Sequence, residues 1–486
     1  MEDLLQEKLQ INIERIKMSF NNTSDLVIRE MTFSLNKEIT QEKTLKLVYL
    51  DSITDTTLLQ KSVILPLVEN LNISESRSKE LISYVSHTIL TTPSVKTTNS
   101  YQELLNAIIQ GNAVLLFDGF NEIIIVEVPN WVERSVEESL GERSPKGVAL
   151  GFSEKAKTNI NILRGIIKTE QFCVQKMTFG SIAETDVFLL FINGIVDKGI
   201  LKEVRNRIEK LDVKHILEAK IVAEIIEGNP KSFFPLTVSS ERPDSAASAL
   251  FEGRVIVLVD GTPQVIIAPS LFAELFQAPD EYKVSYGRFS IRLLRFFSFL
   301  IAIFSSSIYV TLDKHGKDYI PKKLYEELFT KEELLPTVWE VLILNVILAL
   351  FIDATFRVPK SAIFLISIIA AILLGDAAAS AKLIHPVGLI VVGTSFIASL
   401  VLANKGLLGT IRILRISFIL IGYVLGYNGI FIGATVLIFY MISLKSIGVP
   451  YLSPFIPFRY KELKDTLYRG DLKKLANSKH SFPDDN

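Results

Sequence analysis

Between residues 239 and 300 this chain changes character. It runs from SSERPDSAASALFEGRVIVLVDGTPQVIIAPSLFAELF, with helix and hairpin signals, past Arg292 and Arg295 into the apolar stretch FFSFLIAIFSSSIYV. A chain that does this must solve two folding problems, one in water and one in a solvent that cannot hydrogen-bond its backbone. Charged residues are scattered through 1–295, whereas 387–403 and 416–444 carry none. A mean hydropathy of +0.34 alongside 22% charged residues requires that segregation. The expected fold is an α/β cytoplasmic N-terminal domain in two lobes, followed by an α-helical polytopic membrane domain. The boundaries read as a 1–24 amphipathic segment, lobes at 25–140 and 141–290, a membrane domain at 291–445 and a cytoplasmic tail at 446–486.

Several function classes drop out early. The formal net charge of -1 argues against nucleic acid as a partner, because binding it needs a surplus of cations to displace phosphate counterions. The single cysteine, Cys173, rules out an intramolecular disulfide and suits a reducing compartment. The start, MEDLLQEKLQINIERIKMSF, has neither the cationic nor the apolar region of a secretory signal, which keeps the N-terminal part in the cytosol. No Walker A and no G-x-G-x-x-G sequence occurs, so a nucleotide-driven mechanism has no support. His87, His215, His315, His385 and His480 are scattered, without the spacing of a metal site or a triad. No cofactor and no enzyme activity is expected.

In the soluble half, the helix SYQELLNAIIQ leads to Gly111, the run AVLLF, the turn pair Asp118-Gly119 and the run EIIIVEV, which reads as a helix followed by a β-hairpin. The same order recurs 142 residues later, with Gly253 matching Gly111 and Asp260-Gly261 matching Asp118-Gly119. Two readings stand: an internal duplication, or a common supersecondary unit used twice. Strands are expected at 45–50 and 186–193, and helices at 56–70, 75–88 and 198–211. The continuous apolar runs next to helical patterns suggest βαβ units. The lobes would part near 141–147.

Six apolar segments follow, at 296–312, 337–356, 361–375, 387–403, 411–427 and 430–444. Several are shorter than the roughly 20 residues that cross a bilayer upright. The last two also admit one long helix, broken only at Gly426-Tyr427-Asn428-Gly429, which would make five segments. Six spans with the N-terminal domain inside put Arg357, Lys360, Lys405, Arg412 and Lys445 on the cytoplasmic side, as the positive-inside rule prefers. Against this, 313–335 would lie outside with five lysines, offset by six acids. Ionisable and polar groups within or beside the segments are Glu340, Asn345, Asp353, Asp376 and Lys382; each lines an ion path or sits at headgroup level. The small-residue run from Gly375 to Ala381 suits close helix packing in an oligomer or around a narrow pore. Ile369, Gly375 and Asp376 join Glu340, Asn345 and Asp353 as the candidate ion path. Arg292 and Arg295 either anchor the first span at the inner surface or transmit movement into it.

Ser240-Glu241-Arg242-Pro243-Asp244, Ala249 through Val255, Val259-Asp260-Gly261, Pro269, Pro279-Asp280-Glu281-Tyr282 and Arg292-Leu293-Leu294-Arg295-Phe296 resemble the A subunits of bacterial spore germinant receptors. Thr158-Asn159 with Arg164, Gly375-Asp376-Ala377-Ala378 and Pro450-Tyr451-Leu452-Ser453-Pro454 extend the resemblance over most of the chain. It implies a multi-pass protein of the inner spore membrane. It also implies that the chain senses nutrients together with a transporter-like B subunit, which carries the main germinant pocket, and a lipoprotein C subunit. Homo-oligomerisation into a nutrient-gated channel for monovalent cations is the implied mechanism. Glu241, Arg242, Asp244, Arg254, Arg292 and Arg295 become the candidate coupling residues. One departure stands out: Asn345 and Ala349 occupy positions where the family commonly has acids, which puts a cation path along that helix in doubt. The alternative is a secondary transporter with a cytoplasmic regulatory domain, although no repeated halves are visible in 296–444.

Overall fold

The computed structural model describes residues 3–34, 42–70, 81–132, 151–228, 231–277, 288–329, 335–355, 384–402, 404 and 406–459. These form two compact units. One holds residues up to Gly228 together with Thr237–Pro269; the other takes Ser232 and its neighbours from Lys231–Leu236 and the described chain from Ser270 onward.

The first unit is built from two lobes of the same design. In lobe 1, α1 (Leu9–Ser19) precedes β1 (Leu26–Ser34) and β2 (Glu42–Leu50). Short helical pieces follow, α2 (Thr56–Leu59), α3 (Leu65–Asn70) and α4 (Leu81–Tyr84). Then come β3 (Val95–Thr98), α5 (Tyr101–Ile109), β4 (Ala113–Phe117) and β5 (Ile123–Val126). Lobe 2 repeats the plan with α6 (Ala156–Ile166), β6 (Phe172–Phe179), β7 (Thr185–Ile192), α7 (Lys198–Glu209) and α8 (Ala219–Glu227). It ends with β8 (Val238–Ser240), α9 (Pro243–Phe251), β9 (Val255–Val259) and β10 (Val265–Ala268).

The two five-stranded sheets have the orders β1-β2-β4-β5-β3 and β6-β7-β9-β10-β8, which are the same order in each lobe's own count. Registers correspond as well: Leu45 faces Phe117 as Val187 faces Val259, and Ala113 faces Val126 as Val255 faces Ala268. Side-chain details repeat too. The carboxylates of Asp118 and Asp260, from the two Asp-Gly turns, accept the backbone N–H of Leu9 and of Ala156 at the starts of α1 and α6. Asn12 and Asn159 each bridge back to the backbone six residues earlier, at Gln6 and Ser153. Gly111 (φ 87) and Gly253 (φ 84) sit in the left-handed region, and a Cβ on either would lie 2.7 or 2.8 Å from the carbonyl oxygen of Ile53 or Ile195. The second appearance of helix, glycine, strand, Asp-Gly and strand is therefore part of a repeat that spans both whole lobes.

All the ladders are antiparallel, in contrast to the parallel pairing that βαβ units would give. The apolar runs misled because continuous runs normally mark parallel sheets covered on both faces. Here an antiparallel sheet is covered on both faces. In lobe 1, Leu45, Leu47, Leu115 and Phe117 pack with Leu59, Val63 and Leu81, while Val48, Leu50, Val114 and Leu116 pack on the other side with Ile13, Ile16 and Leu104. The period of two in strand side chains puts each set on its own face. The 1–24 segment, separate in the sequence reading, supplies α1 to that second core. The expected lobe divide at 141–147 and the start of the 75–88 helix lie outside the described residues.

The second unit is helical. Its elements are α10 (Arg288–His315), α11 (Lys322–Leu328), α12 (Thr337–Thr355), α13 (Pro386–Leu400) and α14 (Gly406–Ser443). Three helices are long and apolar enough to cross a membrane, Ile291–His315, Thr337–Ala354 and Gly406–Ser443. Pro386–Leu400 is apolar but shorter. Within α14, Gly426 is not helical (φ 67, ψ -153), a conformation essentially restricted to glycine. A Cβ on Gly433 would lie 2.9 Å from Phe418 Cε1. Fifteen residues of straight helix would hold those positions about 22 Å apart. The chain therefore reverses at Gly426, and the arms 406–425 and 427–443 pack against each other. The hairpin of β11 (Lys445–Ser446) and β12 (Val449–Pro450) continues from the second arm. Segment 361–375 lies outside the described residues.

Candidate functional site

Three side-chain assemblies link parts of the chain that the sequence separates. The first joins the lobes. Helix α6 follows from its apolar spacing and buries Ile160 and Leu163 in lobe 2. The same helix turns Asn161 and Arg164 toward lobe 1. Arg164 Nε donates to Asp25 Oδ2 at 2.7 Å and Nη2 to Oδ1 at 2.8 Å, a two-point ion pair whose side chains are 3% and 10% exposed. The hydroxyls of Thr23 and Ser52 donate to the same carboxylate at 2.7 and 2.6 Å. Asn161 donates to the carbonyls of Ser52 and Asn130 and accepts from Val132 N, so its amide is fully used. A buried ion pair holds only when its remaining hydrogen-bonding capacity is met in this way. Burial alone would raise the Asp25 carboxyl, but the Arg164 charge and the hydrogen bonds from Arg164, Ser52 and Thr23 hold it below its ordinary value. Beside it, burial pushes the Cys173 thiol up to about 11, against the charge of Arg164.

The second assembly lies inside the helical unit. Arg415, on the first arm of α14, is 6% exposed. Its Nε donates to Ala302 O on α10 at 2.6 Å, Nη1 to Asn345 Oδ1 on α12 at 3.1 Å, and Nη2 to Ser395 O on α13 at 3.0 Å. Asn345 Nδ2 donates to Val341 O on its own helix at 2.8 Å. One guanidinium on α14 thus bonds to α10, α12 and α13. Five residues before Asn345, Glu340 is 1% exposed and its carboxylate accepts the backbone N–H of His385 at 3.1 Å, next to Gly388, where a side chain would collide with it.

The third assembly is a loop. The chain leaves lobe 2 after α8, and Lys231–Leu236 belong to the helical unit before Thr237 returns. Glu227 accepts Thr237 N and Oγ1 at 3.0 and 2.9 Å, closing the neck of the loop. Phe233 N donates to Tyr440 Oη at 3.1 Å, Thr410 Oγ1 donates to Phe233 O, and Ser446 Oγ donates to Leu236 O at 2.6 Å. The Phe234 ring lies among Phe272, Tyr440 and Tyr451, with centroids 6.0, 6.4 and 5.9 Å away. Tyr451, from the Pro-Tyr-Leu-Ser-Pro sequence, is fully buried there, and its carbonyl accepts Phe272 N at 3.0 Å.

The residues singled out in the sequence fall into these surroundings unevenly. Asn345 and Glu340 are buried against the partners just described, while Asp353 is exposed near the end of α12. Ile369, Gly375 and Asp376 lie outside the described residues. Arg242 is 2% exposed and grips Asp244 at two points, Nε to Oδ1 at 3.0 Å and Nη2 to Oδ2 at 2.6 Å, at the start of α9. Glu241 O accepts Phe152 N at 2.8 Å, and Arg254 pairs with Glu252 at 2.7 Å. These four belong to lobe 2. Arg292 and Arg295 belong to the helical unit, each 5% exposed, with Arg295 Nη1 donating to Phe276 O at 3.1 Å. Sequence reasoning missed Asp25, Arg415 and the 231–236 loop. Arg415 had a signal, as the one charge in the interior of 413–444. Asp25 had none, because its partner is 139 residues away.

Two sheet-bearing lobes and, in the same chain, a helical unit with three helices long and apolar enough to cross a membrane define a polytopic membrane protein with a large polar domain. The family model described as the Bacillus/Clostridium GerA spore germination protein matches residues 14–481. The chain belongs to this family and has a role in spore germination. It is 33% identical to spore germination protein KA of Bacillus subtilis (strain 168) over 472 residues, covering 96% of this chain and 85% of that protein. It is 28% identical over 393 residues to spore germination protein GerQA of Bacillus cereus, covering 80% and 79%. Among solved structures, it is similar to the N-terminal domain of the A subunit of the Bacillus megaterium spore germinant receptor GerK3, with 30% identity and a TM-score of 0.41, over 55% of this chain and 97% of that one.

Proposed function

We propose that this chain is the A subunit of a nutrient germinant receptor in the inner membrane of the spore. It works with a transporter-like B subunit and a lipoprotein C subunit, and its lobes and its tail face the cytoplasm. Several copies assemble, and the helical unit forms the gated path by which monovalent cations leave. The observation that carries this reading is the family match across both the lobes and the helices. The loop 231–236 supports a mechanical link, since it is covalently part of lobe 2 yet packs as part of the helical unit. The coupling residues are then Glu241, Arg242, Asp244 and Arg254 in the lobe and Arg292 and Arg295 at the start of α10. Glu340, Asp353, Ile369, Gly375 and Asp376 remain the ion path. Asn345 is assigned instead to Arg415, because its oxygen is committed there. The test is nutrient-dependent cation flux from vesicles holding the reconstituted complex. Flux that is absent, or that ignores substitutions at Ile369 and Gly375, sinks the channel role.

A further inference from the structure

Arg415 is a cation in the interior of a bundle of apolar helices, where an ionisable side chain is expensive and usually functional. An arginine only donates, so Asn345 must present its oxygen, which sends its Nδ2 to Val341 O on its own helix. Among the described residues, the acceptors of Arg415 are two backbone carbonyls and this amide, all neutral. Among the described residues no carboxylate is bonded to it. Among those residues the arrangement is thus not an ion pair. It is a geometric lock: four helices must stand in one mutual setting for a rigid, planar guanidinium to reach Ala302 O, Asn345 Oδ1 and Ser395 O at once. Shifting α12 by a fraction of its radius breaks the Asn345 contact and leaves a buried donor without its acceptor. Ser306 and Ser395, whose hydroxyls are 3.4 Å apart, place α10 and α13 side by side at the same level.

We propose that Arg415 and Asn345 form a clamp that holds the membrane unit in its resting arrangement and so sets how readily the receptor fires without nutrient. They are positioning residues, and the proposal rests on the germinant-receptor reading above. A ligand shifts a conformational equilibrium only by favouring one arrangement over another. Weakening contacts present in the resting arrangement alone shifts the same equilibrium with no ligand.

The experiment uses spores in which this chain and its partner subunits form the sole germinant receptor. Germination is followed in nutrient-free buffer and in a mixture of the common amino acids with glucose, and the membrane level of the chain is measured in each strain. N345L removes the acceptor. R415M/N345L removes charge and acceptor together at similar volume, a change that buried polar groups tolerate better than loss of one partner. N345D keeps an acceptor in place. The expected result is nutrient-free germination at least about fivefold faster for R415M/N345L, and for N345L if it reaches the membrane, with N345D at the unaltered rate. The clamp is overturned if R415M/N345L is present at normal level with an unaltered nutrient-free rate, if N345D fires as fast as N345L, or if both apolar variants are missing from the membrane, which would make the contact purely structural. Failure of the unaltered chain to respond to the mixture, with the nutrient-free rates still ordered as expected, would count against the nutrient-receptor reading and not against the clamp.

Discussion

Asp25 and Arg164 meet at two points, 2.7 and 2.8 Å apart, across the boundary between two lobes of one repeated design. The pair lies under the hydroxyls of Thr23 and Ser52, and Val174 N donates to Thr23 Oγ1 at 2.9 Å, so strand β6 of lobe 2 is tied into the same joint. The Arg164 guanidinium also stands over the Phe172 ring at 5.0 Å.

Removing one member of this pair strands the other. R164Q leaves a buried carboxylate facing a neutral amide, and the expected loss is about 3–5 kcal/mol of stability in the lobes. Native-state hydrogen exchange on the full-length protein in detergent checks it. Exchange in β1 and β6 unchanged from the parent would show that the joint contributes nothing.

The same pair gives the lobes a pH dependence. The Asp25 carboxyl titrates below its ordinary value when folded, so its contribution is complete above about pH 4 and is lost as pH falls through the lowered value. Urea midpoints measured from pH 7 to pH 3 should fall more steeply for the parent than for D25N. Parallel curves would contradict the assignment.

The duplicated glycines make a paired prediction. G111A and G253A each force a Cβ into the left-handed region and against a backbone carbonyl that has no freedom to move away. Each should cost roughly 1–3 kcal/mol, by similar amounts, and each in its own lobe. Hydrogen exchange resolved to the two sheets measures both at once. A large effect at one site and none at the other would mean that the repeat is one of outline only.

Cys173 should be inert. Its thiol is fully buried, donates to Gln171 O at 3.3 Å and titrates near 11. Only the thiolate is a good nucleophile, so iodoacetamide at pH 7.5 should label the folded chain far more slowly than the urea-unfolded one. Equal rates would show that the lobe interface opens readily.

The loop 231–236 should be held by Phe234. F234A removes a ring packed against three others, and an expected loss of about 3–5 kcal/mol should release the loop while lobe 2 stays folded. Faster tryptic cleavage after Lys231 in the detergent-solubilised chain, with β9 protection unchanged, is the expected pattern.

Much of this fold is legible in the sequence. The division into polar and apolar halves follows from where charge is allowed, and a helix such as α7 follows from apolar positions at helical spacing. The Asp-Gly turns and their preceding glycines were visible as a recurring pattern. Their extent was not, because strand pairing is a long-range relation and the apolar runs fit either a parallel or an antiparallel sheet. The candidate ion path was chosen residue by residue for its chemistry, at Glu340, Asn345 and Asp353 on one apolar segment and at Ile369, Gly375 and Asp376 on or beside the next. It could not reveal that Asn345 faces Arg415, since the two are 70 residues apart and meet only when four helices pack.

By itself the sequence determined that this is a membrane protein with a large two-part polar domain, and its motifs carried the family. These are properties of composition and local spacing, which act before any packing occurs. Tertiary structure alone decided that the two lobes are copies joined at Asp25 and Arg164, that the chain reverses at Gly426, and that Arg415 locks four helices. It also decided that the bridge between the halves is not a single linear stretch, because Lys231–Leu236 already belong to the helical unit before the chain reaches Ser239. Each of these depends on groups far apart in sequence meeting within hydrogen-bond distance, and only the folded chain brings them there.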